Sequence, residues 1–378
     1  MKSIKHLKEQ VTDFQNLYEA YLKARKNKRY RDEVLRYSAH LEDNLFHLQE
    51  QLINQTYTPG RCREKVVIIP KKRIVTAQPF QDRVAQWAFY KVVNPRFASG
   101  YITDTYACIK GRGQFDAADR LHYWMQQVSR KPTMYYYLKL DISKFFYRQD
   151  HEVTRNIIGK KINYNAWGMW LVDTFIAGDN TPFGLPPGKG PMEVDKKDRL
   201  YDKGFAPGAL FSQMAGNIVL DRLDQYCKRQ LSIHYYIRYM DDIIILSDSK
   251  PQLHEWKSAI EKYLNEQLLL HLNEKTCIRP VGQGVEFCGF RVFPNDIFVR
   301  KSTALHMKHN LKRVMREYAE GTMTLERAQQ TVNSYQGGLL SHCNSYNLSK
   351  AIFGEYSDTE WTEGWFVLKR NSDKPPTE

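Results

Sequence analysis

Apolar residues recur at three- and four-residue steps over the first fifty positions, through Leu7, Val11, Phe14, Leu17 and Tyr21 and again through Leu35, Leu41, Leu45 and Leu48. That spacing predicts amphipathic helices, with the basic cluster Lys23–Arg31 between the two runs and a break at Thr58-Pro59-Gly60. Lys65–Ile69 and Arg73–Thr76 then read as a basic hairpin turning at Pro70-Lys71-Lys72, and Asp82–Val93 returns to helix. In the centre, strands are predicted at Met134–Leu140, which stops at Asp141, and at Ile233–Tyr239 and Ile243–Leu246, which flank Met240-Asp241-Asp242 as a hairpin. Val285–Phe293 is a further hairpin. Helices are predicted between them at Glu152–Ile162, Gln213–Arg229 and Leu253–Leu268, and beyond them at Ser302–Tyr318 and Thr324–Tyr335. Alternating helices and strands with hairpin connections predict an α+β fold, an antiparallel sheet backed by helices.

One segment interrupts this order. Gly184–Gly204 holds four glycines, three prolines and nine charged residues, which predicts a long surface loop. The last residues, Asn371–Glu378, read as a frayed tail.

Composition and charge narrow the class. With 378 residues, 42% apolar, 24 Tyr and 18 Phe, the chain can bury the cores of two or three packed units and is not a disordered low-complexity sequence. Its 56 basic and 42 acidic residues leave +14, an excess that points to a polyanionic partner. The excess is concentrated: residues 1–75 carry 16 basic and 9 acidic side chains and residues 300–350 carry 8 and 3, whereas 76–299 carry 29 and 24. Basic ends flanking a carboxylate-bearing centre suit a protein that grips a polyanion and does chemistry in the middle. Met1–Gln10 has no apolar core of a secretory leader, and no apolar run approaches a membrane span. Six cysteines lack any CxxC or CxxH pairing, which argues against a zinc module or a disulfide framework. The expectation is a cytoplasmic protein with no membrane partner.

The candidate chemistry lies in three carboxylates. Alone, Asp141 at a strand end reads as a turn former, and Asp241-Asp242 as a solvated hairpin tip. Together, two strand-end carboxylate sites about a hundred residues apart, one of them doubled, are what two-metal phosphoryl transfer requires. Mg²⁺ takes hard oxygen ligands, and two such ions clamp the attacking and leaving oxygens.

LDISKFF, RYMDDIIIL, the preceding GALFSQMAGNIVL, and the downstream LNEKT and EFCGF resemble, in order, the polymerase motifs of reverse transcriptases. PKKRIVTAQPFQDRVAQWAF and DTYACIKGRG resemble the fingers motifs of bacterial enzymes related to group II intron polymerases. The resemblance covers roughly residues 60–350. It implies a right-hand polymerase fold, with N-terminal helices and fingers over 1–100, a palm over 101–299 containing the 184–204 loop, a helical thumb over 300–356 and a tail over 357–378. It makes Asp141, Asp241 and Asp242 the ligands of two Mg²⁺ ions, with Mn²⁺ as an alternative. Phe146 matches the bulky gate against a 2′-hydroxyl, which favours deoxynucleotides. Arg73, with Lys71 nearby, matches the cations that hold the triphosphate, and Lys275 the lysine near the leaving pyrophosphate. Phe287, Gly289 and Phe290 match the primer grip, and Lys308, Lys312 and Arg316, spaced four apart on one helix face, fit a phosphate backbone. Implied partners are an RNA template, an RNA–DNA duplex, deoxynucleoside triphosphates, a cognate noncoding RNA, and an accessory protein or a second copy of the chain.

Two features depart from the family pattern. Where most members carry Gln-Gly before Ser-Pro under the templating base, this chain has Pro207-Gly208 and ends in Ser212-Gln213. The Ser-Gln ending resembles enzymes of diversity-generating retroelements. Pro207 lacks both the Gln amide and a branched aliphatic shape, so base selection there is expected to differ. The second departure is the 184–204 loop just upstream. Both lean toward a domesticated reverse transcriptase of phage defence, with an error-prone diversity-generating enzyme and a catalytically silent RNA-binding scaffold as alternatives. The residues after Tyr356 are too few for an RNase H or endonuclease domain, so template choice is expected to come from other molecules.

Overall fold

The computed structural model describes residues 4–67, 73–178, 181–353, 359–362 and 365–368. The N-terminal periodicity resolves into four helices, α1 (Leu7–Thr12), α2 (Phe14–Ala24), α3 (Asp32–Ala39) and α4 (Leu41–Ile53). Asp13 caps α2 by accepting the Asn16 N–H at 2.9 Å, satisfying one of the amide donors a helix start leaves free. The basic hairpin forms as β1 (Arg63–Val67) and β2 (Arg73–Ala77), antiparallel with Val67 opposite Arg73. Its tip, including Lys71, lies outside the described residues. Helix α5 (Phe80–Ala98) is longer than the predicted 82–93. It is buried around most of its circumference, from Phe80 and Val84 to Phe89, Val93 and Phe97, as expected of a helix enclosed by others.

After the two-residue strand β3 (Thr105–Tyr106) come α6 (Gln114–Ser129), β4 (Tyr136–Asp141), the single turn α7 (Phe145–Arg148), α8 (His151–Lys161) and α9 (Ala166–Ala177). Neither α6 nor α9 was expected; α9, AWGMWLVDTFIA, is apolar on nearly every face and shows no amphipathic period. Next are α10 (Leu210–Arg229), β5 (Tyr235–Tyr239), β6 (Asp242–Ser247) and α11 (Lys250–Tyr263). The predicted helix to Leu268 finishes as a π-turn over Leu264–Leu268. The chain continues through β7 (Cys277–Pro280), β8 (Val285–Phe287), β9 (Phe290–Val292), β10 (Ile297–Val299), α12 (Lys301–Ala319), α13 (Leu325–Asn333) and α14 (Tyr346–Phe353). A short hairpin, β11 (Thr359–Thr362) with β12 (Trp365–Leu368), falls inside the segment expected to be tail. Asn371–Glu378 lies outside the described residues.

The central sheet has the order β3-β5-β6-β4-β7. Its outer pair β3–β5 is parallel, with Thr105 opposite Arg238, an exception to the antiparallel expectation. The sheet β10-β9-β8 is antiparallel throughout. Two compact units form, one from Met1–Gly111, Lys139–Ile244 and Pro251–Cys277, the other from Arg112–Leu138, Ile245–Lys250 and Ile278–Glu378. The first is built on a core that joins Leu17 and Tyr21 of α2, Leu45 and Leu48 of α4, Phe89 and Val93 of α5 and Ile218 of α10. The second includes a smaller core of Met307, Leu311, Val314 and Tyr318 with Ala328 and Val332. Among the described residues no helix is long and apolar enough to cross a membrane.

The 184–204 segment is a surface loop, exposed at residues 187–189, 192–193, 195–198 and 201–202, and it is pinned at its neck. Gly184 and Leu200 exchange two backbone hydrogen bonds, 3.0 and 2.9 Å long, at its neck. Arg199 and Leu185 are buried. A β-carbon at Gly184 would sit 2.7 Å from the Leu200 carbonyl oxygen, so the neck closes only around glycine.

Candidate active site

Strand β4 alternates: Leu138 and Leu140 are fully buried on one face while Lys139 and Asp141 are half-buried on the other. Asp141 thus reaches the strand end on the same side as a lysine two residues earlier. Its Oδ2 accepts the Asn273 side-chain N–H at 2.8 Å, and its carbonyl accepts the Asn273 backbone N–H at 2.7 Å. The second carboxylate site is the β5–β6 turn, where Met240 takes a left-handed conformation with φ 51°. The Ile142 N–H donates to the Asp241 carbonyl at 3.3 Å, which ties this turn to the end of β4. Lys139 Nζ lies 3.2 Å from Asp242 Oδ2.

Burial pushes the Asp242 carboxyl up to about 6, and the neighbouring Asp141 and Asp241 add to this while Lys139 opposes it. The charges of Asp141 and Asp241 thus reach Asp242 and add to the cost of ionising it. Asp242 Oδ1 is buried without a hydrogen-bond partner, an unusual state for an ionisable oxygen. Among the described residues no group of three His, Cys, Asp or Glu side chains is placed to hold a metal ion. The donor set nonetheless fits a divalent cation: hard oxygens, mutually repelling charge and one buried oxygen with nothing bound to it.

A buried network underlies the turn. Arg238 donates to Asp224 through Nε at 2.8 Å and Nη2 at 2.7 Å, and through Nη1 to the Met240 carbonyl at 3.0 Å and Asn217 Oδ1 at 3.3 Å. Tyr236 and Thr105 hydroxyls each donate to Asp224 at 2.7 Å. Burial alone would lower the Arg238 pKa, but Asp224 outweighs it and the guanidinium holds its proton more tightly than usual.

Around this centre the expected nucleotide contacts fall as follows. Lys144, with φ 51°, turns the chain into α7; there Phe145 is buried and Phe146 half-buried, with ring centroids 5.3 Å apart. Gly216 of α10 lies beneath them, where a β-carbon would be 2.9 Å from Phe145 Cε1. Pro207 is half-buried and Gly208 exposed with φ 92° just before α10. Gln213, in the first turn of α10, accepts the Cys108 thiol at 3.5 Å, so the DTYACIKGRG and GALFSQ segments meet. Lys275 is exposed, and its backbone N–H donates to Asn273 Oδ1 at 3.3 Å. Arg73 opens β2, its backbone paired with Val67.

The expected primer-grip residues lie on the β8–β9 hairpin. Phe287 and Phe290 are buried, the latter with its ring centroid 5.9 Å from that of Phe115. Their side chains anchor the β8–β9 hairpin from inside. Between them lies the half-buried Cys288-Gly289 turn, with φ 51° and 88°, where glycine permits a close backbone approach. On α12, Lys308 is half-buried and flanks the apolar stripe, while Lys312 and Arg316 are exposed.

Sequence reasoning missed Lys139, Asn273, Gly216 and the Arg238–Asp224 pair. Asn273, Gly216 and Arg238 stood within quoted motifs, and the two-residue period of β4 places Lys139 beside Asp141. No sequence signal joined Asp224 to Arg238.

Residues 64–292, more than half of the chain, match the family described as reverse transcriptase (RNA-dependent DNA polymerase). The chain belongs to the reverse transcriptase family, and its fold is accordingly of the α+β right-hand polymerase class. Among solved structures it is similar to apo telomerase from Candida tropicalis, with a TM-score of 0.48 and 12% identity over 82% of this chain and 62% of that one. It is also similar to telomerase from Candida albicans in complex with a TWJ fragment of telomeric RNA, with a TM-score of 0.45 and 12% identity over 79% and 55%. The chain spans less than two thirds of either telomerase chain. No curated protein matches it.

Proposed function

We propose that this protein is an RNA-directed DNA polymerase that copies a cognate noncoding RNA into DNA, and that it serves antiphage defence in a bacterial cytoplasm. The observation that carries the polymerase reading is the tie of the Asp141 strand end to the Asp241-Asp242 turn through the Ile142 N–H on the Asp241 carbonyl, together with the buried, unpartnered Oδ1 of Asp242. Asp141, Asp241 and Asp242 would hold two divalent cations, Mg²⁺ or Mn²⁺, which supply charge neutralisation at the α-phosphate and activation of the attacking oxygen. The reaction joins a primer 3′ oxygen to that phosphorus and releases pyrophosphate.

The remaining residues position and hold. Asn273 fixes the Asp141 carboxylate, Lys139 keeps Asp242 turned toward β4, and Arg238 holds the Met240 carbonyl. Phe146 faces the sugar of the incoming nucleotide; Lys71, Arg73 and Lys275 take its phosphates. Pro207, Gly208 and Gln213 lie under the base pair, the Cys288-Gly289 turn holds the primer end, and Lys308, Lys312 and Arg316 grip the duplex backbone.

Support for the defence role comes from Pro207 and the 184–204 loop, both departures from the family pattern. The Ser212-Gln213 ending favours the second reading, an error-prone enzyme of a diversity-generating retroelement. Primer extension on RNA with Mg²⁺ and four deoxynucleotides tests the activity: wild type extends, and Asp241→Ala with Asp242→Ala does not. Unchanged extension by that variant overturns the reading, and full biological function kept by the same variant favours a scaffold. Sequencing the copurifying nucleic acid separates the two biological roles, since copies of a short noncoding RNA fit defence and copies of one member of a template/variable repeat pair fit diversification.

A further inference from the structure

The β1–β2 hairpin is a two-stranded ribbon on its own, and such ribbons are marginal unless something outside holds them. Along β1 the residues are exposed except Glu64, whose side chain is only 11% exposed. The 184–204 loop supplies its cover. Arg199, 4% exposed, donates to Glu64 through Nη1 at 2.6 Å and Nη2 at 3.3 Å, and Lys196 Nζ lies 3.5 Å from the same carboxylate. Cys62, one residue before β1, packs with Phe183, Ala206 and Ala209, which flank the loop on both sides.

The same loop is fastened to the Phe146 segment. The Phe205 N–H donates to the Phe146 carbonyl at 2.7 Å, Leu185 N–H to the Tyr147 carbonyl at 3.3 Å, and Gly204 N–H to the Gln149 carbonyl at 2.8 Å. From that segment the Tyr147 hydroxyl donates to the Ile74 carbonyl of β2 at 3.4 Å, next to Arg73.

We propose that the 184–204 loop is a strut that fixes the fingers hairpin against the Phe146 segment, with Arg199 and Glu64 as positioning residues for the incoming nucleotide. The inference rests on the polymerase reading for its kinetic consequence and on geometry alone for its structural one. A forked Arg–carboxylate pair fixes direction as well as distance, so its loss lets the triphosphate-binding hairpin drift while the carboxylates stay in place. Binding of the nucleotide then weakens more than the chemical step.

Two measurements test it. Hydrogen exchange over Arg63–Ala77 is compared in wild type, Glu64→Gln, Arg199→Gln and Tyr147→Phe; the first two variants exchange there at least ~10-fold faster, with α5 and α10 unchanged. Single-nucleotide extension gives the second: KM for the deoxynucleotide rises ~10-fold or more, while kcat stays within about twofold and affinity for primer–template duplex is unaltered. Arg199→Lys, which keeps charge but not the fork, falls between. Tyr147→Phe removes one hydroxyl and raises KM by a smaller factor, so the idea stays testable if an Arg199 variant misfolds. Wild-type exchange and KM in Glu64→Gln, or loss of kcat with KM unchanged, overturns the strut. A wild type that never extends primers sinks the polymerase reading instead, and leaves the exchange result to judge the strut.

Discussion

Arg238 and Asp224 are joined by two hydrogen bonds of 2.8 and 2.7 Å, and neither side chain has any exposed surface. The same guanidinium reaches the Met240 carbonyl, so the pair sits directly beneath the Asp241-Asp242 turn. Such a pair is a weak source of stability as a unit but a costly one to break, because the surviving charge stays buried. Asp224→Ala and Arg238→Leu should each cost about 3–5 kcal/mol of folding stability, read by urea denaturation. Tyr236→Phe removes only a donor to Asp224 and should cost about 1 kcal/mol.

Asp242 makes the site sensitive to pH. Its carboxyl titrates near 6 in the folded protein, against an ordinary 3.8. A raised acid pKa means that the folded state binds the proton more tightly, so the contribution to stability is greatest below about pH 4 and is lost as pH rises through 6. In protein freed of divalent cations, Asp242→Asn removes that dependence. The melting temperature of the variant relative to wild type should therefore rise between pH 4 and 7, and a gap worth roughly 2–3 kcal/mol is the upper end. Lys139, left without its partner, offsets part of it. Adding Mg²⁺ at pH 7.5 should then raise the melting temperature of wild type and leave that of the variant where it was.

Gly216 and Phe146 are coupled through Phe145. A β-carbon at position 216 falls 2.9 Å from one ring carbon of Phe145 and 3.3 Å from the next, so Gly216→Ala must move that ring. The expected cost is about 1–3 kcal/mol. The Phe146 ring, packed on Phe145, moves with it, and discrimination between deoxy- and ribonucleotides should fall. Phe146→Ala should lower that discrimination further without destabilising the core to the same degree. Single-nucleotide incorporation with matched dNTP and rNTP measures both.

Much of the fold was legible because its elements are amphipathic. The stripes of α2, α4 and α12 and the alternation over the second half of β4 each leave one polar face. Helix α9 was not, since an element buried on nearly all sides carries no period to read. Of the site, the three aspartates stood out as motifs in order, but the groups that hold them did not. Arg238 and Asp224 are fourteen residues apart and meet only because α10 packs against β5. The 184–204 loop was legible as a surface loop from its glycine, proline and charge, but the burial of Arg199 within it was not, since that depends on a partner, Glu64, more than a hundred residues away.

The cationic face of α12 offers a salt-dependence test. Met307, Leu311, Val314 and Tyr318 turn inward, which leaves Lys312 and Arg316 exposed and Lys308 at the edge of the stripe. Arg313 is different, since it is already paired with Glu317 at 2.8 Å. Each phosphate neutralised by the protein releases condensed counterions, so the slope of log K against log salt reports how many contacts are made. Replacing Lys308, Lys312 and Arg316 together by Gln should make that slope shallower by about 2–3 for an RNA–DNA duplex, measured by fluorescence anisotropy from 50 to 200 mM salt as a rough working range. Arg313→Gln should change it by less than about 0.5, because that charge is already partly spent on Glu317. Extension at saturating duplex should stay near wild type in both. A slope unchanged by the triple variant would place the duplex on some other face of the molecule.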